Sequence, residues 1–115
     1  MRPIPKHMLI HSAEISKEVS GDWGTSGLER LGTLTRIRIE SSSKVVRDKN
    51  NKELQLAATL FFDCKNSKGN AGLLKEDHIV DFQGDKYRIV AVEPLTDRRK
   101  LHHYEAGMVK YAGKH

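Results

Sequence analysis

The chain has 115 residues, of which 37% are hydrophobic and 30% charged, with a net charge of +5 at pH 7. That length suits one domain with a proper core, and the composition excludes an intrinsically disordered chain. No apolar run approaches the roughly 18 residues needed to span a bilayer, residues Met1 to Pro5 lack the apolar stretch of a secretory signal, and the single Cys64 excludes an internal disulfide or a thiolate-rich zinc site. A cytosolic, non-membrane domain is the expectation.

Period-two alternation recurs in short runs separated by turn residues, whereas helical periodicity is weak throughout. Residues 1–7, with Pro3-Ile4-Pro5, suit an extended arm, because proline fixes φ in the extended range. Met8 to Ile15 reads as a first strand. Ser16 to Leu31 holds hydroxyls and glycines around the one tryptophan, Trp23, and reads as a long loop over an aromatic anchor, with a helical turn allowed at Leu28 to Leu31. In Gly32 to Ser41, Ile37 and Ile39 take one face while Arg36, Arg38 and Glu40 take the other, which predicts a strand with one wet side.

Residues 41–53 carry Ser41-Ser42-Ser43 and Asp48 to Lys52 around Val45 and Val46, the chemistry of a protruding basic hairpin loop. Leu54, Leu56, Ala58, Leu60 and Phe62 then form the apolar face of the strongest predicted strand, with Gln55, Thr59 and Asp63 opposite. After a loop at Asn66 to Gly72, Ile79 to Phe82 and Tyr87 to Val92 flank Gln83-Gly84-Asp85-Lys86, a tight hairpin in which Gly84 supplies positive φ. Pro94 is expected to end that strand, Thr96 to Leu101 to connect, and His103 to Tyr111 to form the last strand. The fold class is therefore mainly β: a small antiparallel barrel or sandwich of about six strands with long loops and little helix, spanning residues 1–115 as one domain.

Catalytic and cofactor chemistry finds little support in these residues. Six histidines raise a metal site, but on a strand His103 and Glu105 share a face while His102 points away, so His11 or His78 would have to complete the set. Isolated histidines are far commoner than ligands. Cys64 sits beside Asp63, whose charge raises a thiol pKa, and no Gly-x-Ser-x-Gly turn or phosphate loop is present. Asp77, Asp81 and Asp85 do not match a calcium loop. No catalytic residue, metal or cofactor is assigned, and the positive charge concentrates only at Lys44 to Lys52 and at Arg98-Arg99-Lys100.

Several features in order, Pro3-Ile4-Pro5-Lys6 with Leu9-Ile10-His11-Ser12, Asp22-Trp23-Gly24, Leu60-Phe61-Phe62-Asp63, Phe82-x-Gly-x-x-Tyr87 and Leu101-His102-His103-Tyr104-Glu105 with Gly107, resemble the minor capsid proteins of tailed bacteriophages and prophages. That group is similar to the head-closure, or stopper, proteins of siphophages. The resemblance implies a non-enzymatic virion protein of the head-tail joint, assembled in the host cytoplasm. Its partners would be portal or adaptor and tail-completion proteins, in a ring of about twelve copies beneath the portal. It also implies retention of packaged DNA, for which Lys44, Arg47, Lys49 and Lys52 are the candidate channel-facing, sequence-independent contacts. Ile4, Pro5 and Trp23 are the candidate intersubunit contacts. The alternative is a small non-enzymatic β-barrel that binds nucleic acid, although the shortage of free aromatics argues against base stacking.

Overall fold

A computed structural model describes residues 4–20, 26–97 and 100–111. Its strands are β1 (His11–Ser20), β2 (Ser26–Ser41), β3 (Val45–Arg47), β4 (Glu53–Gln55), β5 (Ala58–Asp63), β6 (Ile79–Phe82), β7 (Asp85–Asp97) and β8 (Lys100–Lys110). Helical structure among the described residues is limited to two 3-10 turns, Lys6–Met8 and Ala71–Leu73. All strand pairs are antiparallel. Six strands follow the order β1-β2-β5-β8-β7-β6, and β6 returns to β1 through Ile15 opposite Val80, which closes a barrel. The mainly β, antiparallel expectation holds, and β3 with β4 adds a separate two-stranded sheet inside the β2–β5 connection.

Alternation places Ala13 and Ile15, then Leu34, Ile37 and Ile39, then Ala58, Leu60 and Phe62, with Val80, Ile89, Ala106 and Met108, in the barrel interior. Closure buries these side chains and leaves the strands no edge along the paired stretches. β2 changes phase in the middle: Leu34 and Ile37 both face inward although they lie three apart. The extra residue is absorbed by a bulge, where Arg36 has φ 53 and the β1 register slips between His11–Ile37 and Ser12–Thr35. The β6–β7 hairpin closes through Gln83 (φ 51) and Gly84 (φ 85), the positive pair that a primed turn requires.

Four expectations need correction. Ser16 to Ser20 and Ser26 to Leu31 are not loop, nor is there a helical turn at Leu28; both stretches extend a long β1–β2 hairpin, Ser16 to Ser20 facing Arg30 to Ser26. Their hydroxyl-rich composition reflects a two-stranded ribbon with both faces in water, and Trp23 lies outside the described residues. The predicted strand Leu54 to Asp63 is interrupted at Leu56 and Ala57, where the chain leaves the small sheet for the barrel. Pro94 does not end β7, which continues to Asp97. Beyond Ile89, β7 has β8 on one side only, so a proline nitrogen turned to the open edge costs no ladder bond. Finally, most of Thr96 to Leu101 is strand, Arg98 and Arg99 lying outside the described residues.

Antiparallel pairing all round means that β1, β5 and β7 run one way and β2, β6 and β8 the other. The β1–β2, β5–β6 and β7–β8 connections therefore share one end of the barrel. The root of the β3–β4 hairpin and the β6–β7 turn belong to the other. The outer half of the β1–β2 hairpin has no third strand, whereas in the β7–β8 hairpin β8 is paired with β5 from His103 to Met108 and only the far side of β7 is open; the molecule is elongated, 50 × 28 × 24 Å.

Candidate functional site

In the β3–β4 hairpin, Val45 to Arg47 pairs with Glu53 to Gln55, and the tip is tied by its own backbone. Asp48 Oδ1 accepts from the N–H groups of Asn50 (2.9 Å) and Lys52 (2.9 Å), and Asn51 takes φ 61, which asparagine tolerates. The four cations of this loop are not equivalent. Arg47 donates to Glu53 Oε1 (3.1 Å) and to the Asn51 carbonyl (3.1 Å), and Lys49 is paired with Asp77 on the β5–β6 connection. Asp77 also accepts from Arg88 (3.3 Å), and the Lys49 hydrogen bond, with the Lys49 and Arg88 charges, holds its carboxyl below the usual aspartate range. The same bond raises the Lys49 pKa. Only Lys44 and Lys52 have no acidic partner among the described residues, and the tip leans on the barrel instead of standing clear of it.

The N-terminal segment is likewise tethered. Ile4 donates its N–H to Asp63 Oδ1 (2.9 Å) and accepts from Asn66 Nδ2 (2.9 Å), Lys6 to Met8 make a 3-10 turn, and Leu9 is buried. The described part of the arm thus turns and packs on its own barrel, leaving Pro5 exposed. Asp63, expected opposite the apolar face of its strand, is fully buried: besides Ile4 it accepts from Lys65 N (3.1 Å) and Asn66 N (2.7 Å) through Oδ2. Its position in the ladder does point outward, but residues 4–9 and the turn after β5 cover it. Ile10 stays 67% exposed, and Met8 is exposed as well.

The histidines are spread over separate structural roles. His103 Nε2 meets Glu105 Oε2 at 2.9 Å and His103 Nδ1 meets His102 Nδ1 at 2.6 Å, a chain of contacts and not a convergent set. His78 Nδ1 lies 2.8 Å from the Leu73 carbonyl. His11 Nδ1 accepts the Ile39 N–H (3.0 Å), filling the place of a strand partner where β1 begins, and burial with the Arg38 charge lowers its pKa. Neither His11 nor His78 joins His103. Cys64 is exposed, and burial of its sulfur environment followed by the Asp63 charge pushes its thiol pKa up, so the thiolate that a nucleophile needs is disfavoured.

What the sequence reading missed is a second basic region. Within the β5–β6 connection, the stretch from Cys64 to Lys75 carries Lys65, Lys68 and Lys75 with no carboxylate until Glu76 and Asp77. It is bridged to the β2 bulge by Thr35 opposite Lys68 and by a hydrogen bond from the Ser67 hydroxyl to the Arg36 carbonyl. Counting cations along the chain favours Lys44 to Lys52, and only the ion pairs of the fold reverse that order.

No curated protein matches the chain. Residues 5–108, which span the N-terminal turn, strands β1 to β7 and all but the last two residues of β8, match the sequence profile described as minor capsid protein. The chain belongs to the minor capsid protein family.

Proposed function

We propose that the protein is a head-tail connector component of a tailed phage, a ring-forming head-closure protein seated between portal or adaptor above and tail-completion protein below. Family membership supports a virion part, and one structural feature favours this particular place: a closed barrel with open backbone edges on the β1–β2 ribbon and on the outer part of β7 at one end. Identical subunits arranged head to tail need two different complementary surfaces, and an unpaired ribbon edge offers one without disturbing the barrel. Exposed Ile10 and Pro5 beside the tethered arm supply the apolar part of an intersubunit contact, with Ile4 anchoring it from beneath; Trp23, outside the described residues, is a further candidate from the sequence.

In this reading the β3–β4 hairpin narrows the lumen of the ring. Lys49 braces the hairpin against Asp77 and Arg47 braces it internally, which leaves Lys44 and Lys52 to face the channel. Deleting the gene from the producing phage and complementing it in trans tests the proposal. Heads that package DNA but leak it, together with free tails, are the expected products without the protein. Normal yields of infectious, tailed particles without it would overturn the reading.

A further inference from the structure

The positive charge that the fold leaves uncompensated is not where the sequence concentrates it. Arg36, Lys65 and Lys68 are exposed, and none has an acidic partner among the described residues. Lys6, also exposed, lies two residues after Ile4, whose contacts with Asp63 and Asn66 bring that segment against the same turn. Within 33–38 and 63–75 the one carboxylate, Asp63, is fully buried and accepts three backbone N–H groups, so it is committed to the turn, while Glu14 and Glu105 on the neighbouring strands are engaged with Arg30 and His103. Leu34 and Ile37 both point inward, which leaves Thr35 and Arg36 together on the outer surface, and the Thr35–Lys68 bridge brings the β5–β6 connection alongside them.

We infer that Arg36, Lys65 and Lys68, with Lys6, form a sequence-independent contact for the phosphate backbone of double-stranded DNA. Three observations select this partner. Of the exposed large apolar residues of the described chain, Met8, Ile10, Leu28, Val45 and Leu101, none lies on 33–38 or 63–75, and Met8 and Ile10 flank the patch only on its Lys6 side, whereas protein interfaces have apolar centres depleted in lysine. Neither segment carries an aromatic beyond the strand end, so base stacking, the usual hold on single strands, is missing. The backbones are fixed by the bulge and the turn while the cationic side chains stay free, which suits phosphate contact without base reading. This site lies at the other end of the barrel from the root of the β3–β4 hairpin and does not depend on the connector reading.

Fluorescence anisotropy of a labelled 30-base-pair duplex (roughly three helical turns) against the full chain, at 50 to 200 mM salt, tests the inference. Four phosphate contacts give a slope of log affinity on log salt of roughly −3.6, a loss of about 100-fold over that range. The triple variant Arg36→Asn, Lys65→Gln, Lys68→Gln keeps a residue that tolerates positive φ at 36, and should bring the slope to about −1 with an unchanged far-ultraviolet spectrum. Lys65→Gln with Lys68→Gln alone should reduce it by about 2, and Lys44→Gln with Lys52→Gln should retain more than half of it. A folded triple variant, or the double variant if the triple one is unfolded, that binds with the wild-type slope overturns the inference. So does an equal or larger loss in the hairpin variant, or equal affinity for polyglutamate.

Discussion

Replacing Asp63 separates the arm from the turn in a way that few substitutions could. Its two oxygens have different tasks: Oδ1 holds Ile4 N–H, and Oδ2 holds Lys65 N–H and Asn66 N–H. A hydrogen bond to a charged group contributes about 1.5–3 kcal/mol, but the Lys65 and Asn66 donors sit in a turn that water can reach, so Asp63→Ala should cost about 2–4 kcal/mol, not the full sum. Asp63→Asn keeps one acceptor oxygen. The two turn bonds outweigh one arm bond, so the amide oxygen stays with the turn and the NH2 meets the Ile4 N–H donor to donor. The expected cost is about 1–2 kcal/mol, with the arm released. Hydrogen exchange reads this directly: the Met8 and Leu9 amides, which close on Pro5 and Lys6, should lose protection in the Asn variant while Leu60 and Ala106 keep theirs. Full arm protection in Asp63→Asn, or uniform loss across the barrel, would refute the division of labour between the two oxygens.

Other consequences follow from individual contacts. A Cβ at Gly107 would lie 2.9 Å from Leu56 Cδ1, so Gly107→Ala should lower stability by about 1–3 kcal/mol in urea unfolding, and the cost should shrink in a Leu56→Ala background. Gln83→Asn places a residue at ease with positive φ in the β6–β7 turn and should stabilise by about 0.5–1 kcal/mol; no gain in thermal unfolding would contradict the primed turn. His11 has its pKa lowered from 6.5, so as pH falls below that value the unfolded chain takes up the proton first. Stability is then full above pH 6.5 and declines as pH drops toward the folded value. His11→Gln, which can still accept from Ile39 N–H, should flatten the decline in denaturant midpoint, and an identical decline would exclude His11 as its source.

The alternation of Ile37 and Ile39, and of Leu56 to Phe62, made the barrel strands legible, and Gly84 marked the one tight turn correctly in place. The long hairpin of β1 and β2 was hidden because Ser16 to Leu31 has no apolar face: a two-stranded ribbon in water has nothing to bury on either side, so its composition matches that of a loop. Asp63 was misread for a different reason. Its parity in the strand is outward, as alternation says, but the cover over it comes from residues 4–9, far away in the chain. The basic site suffered the same limitation, since a lysine beside a carboxylate in sequence, such as Lys52 and Glu53, and one paired across the fold, Lys49 with Asp77, look alike until the tertiary contacts are known.

Cryo-electron microscopy of intact particles, reconstructed about the tail axis, addresses the central proposal most directly. Six-stranded barrels, each with its projecting β1–β2 ribbon, arranged as one ring between portal and tail with the Lys44–Lys52 hairpins turned inward, are the predicted result. Barrels decorating the icosahedral shell, or a head-tail joint complete without any, would contradict it.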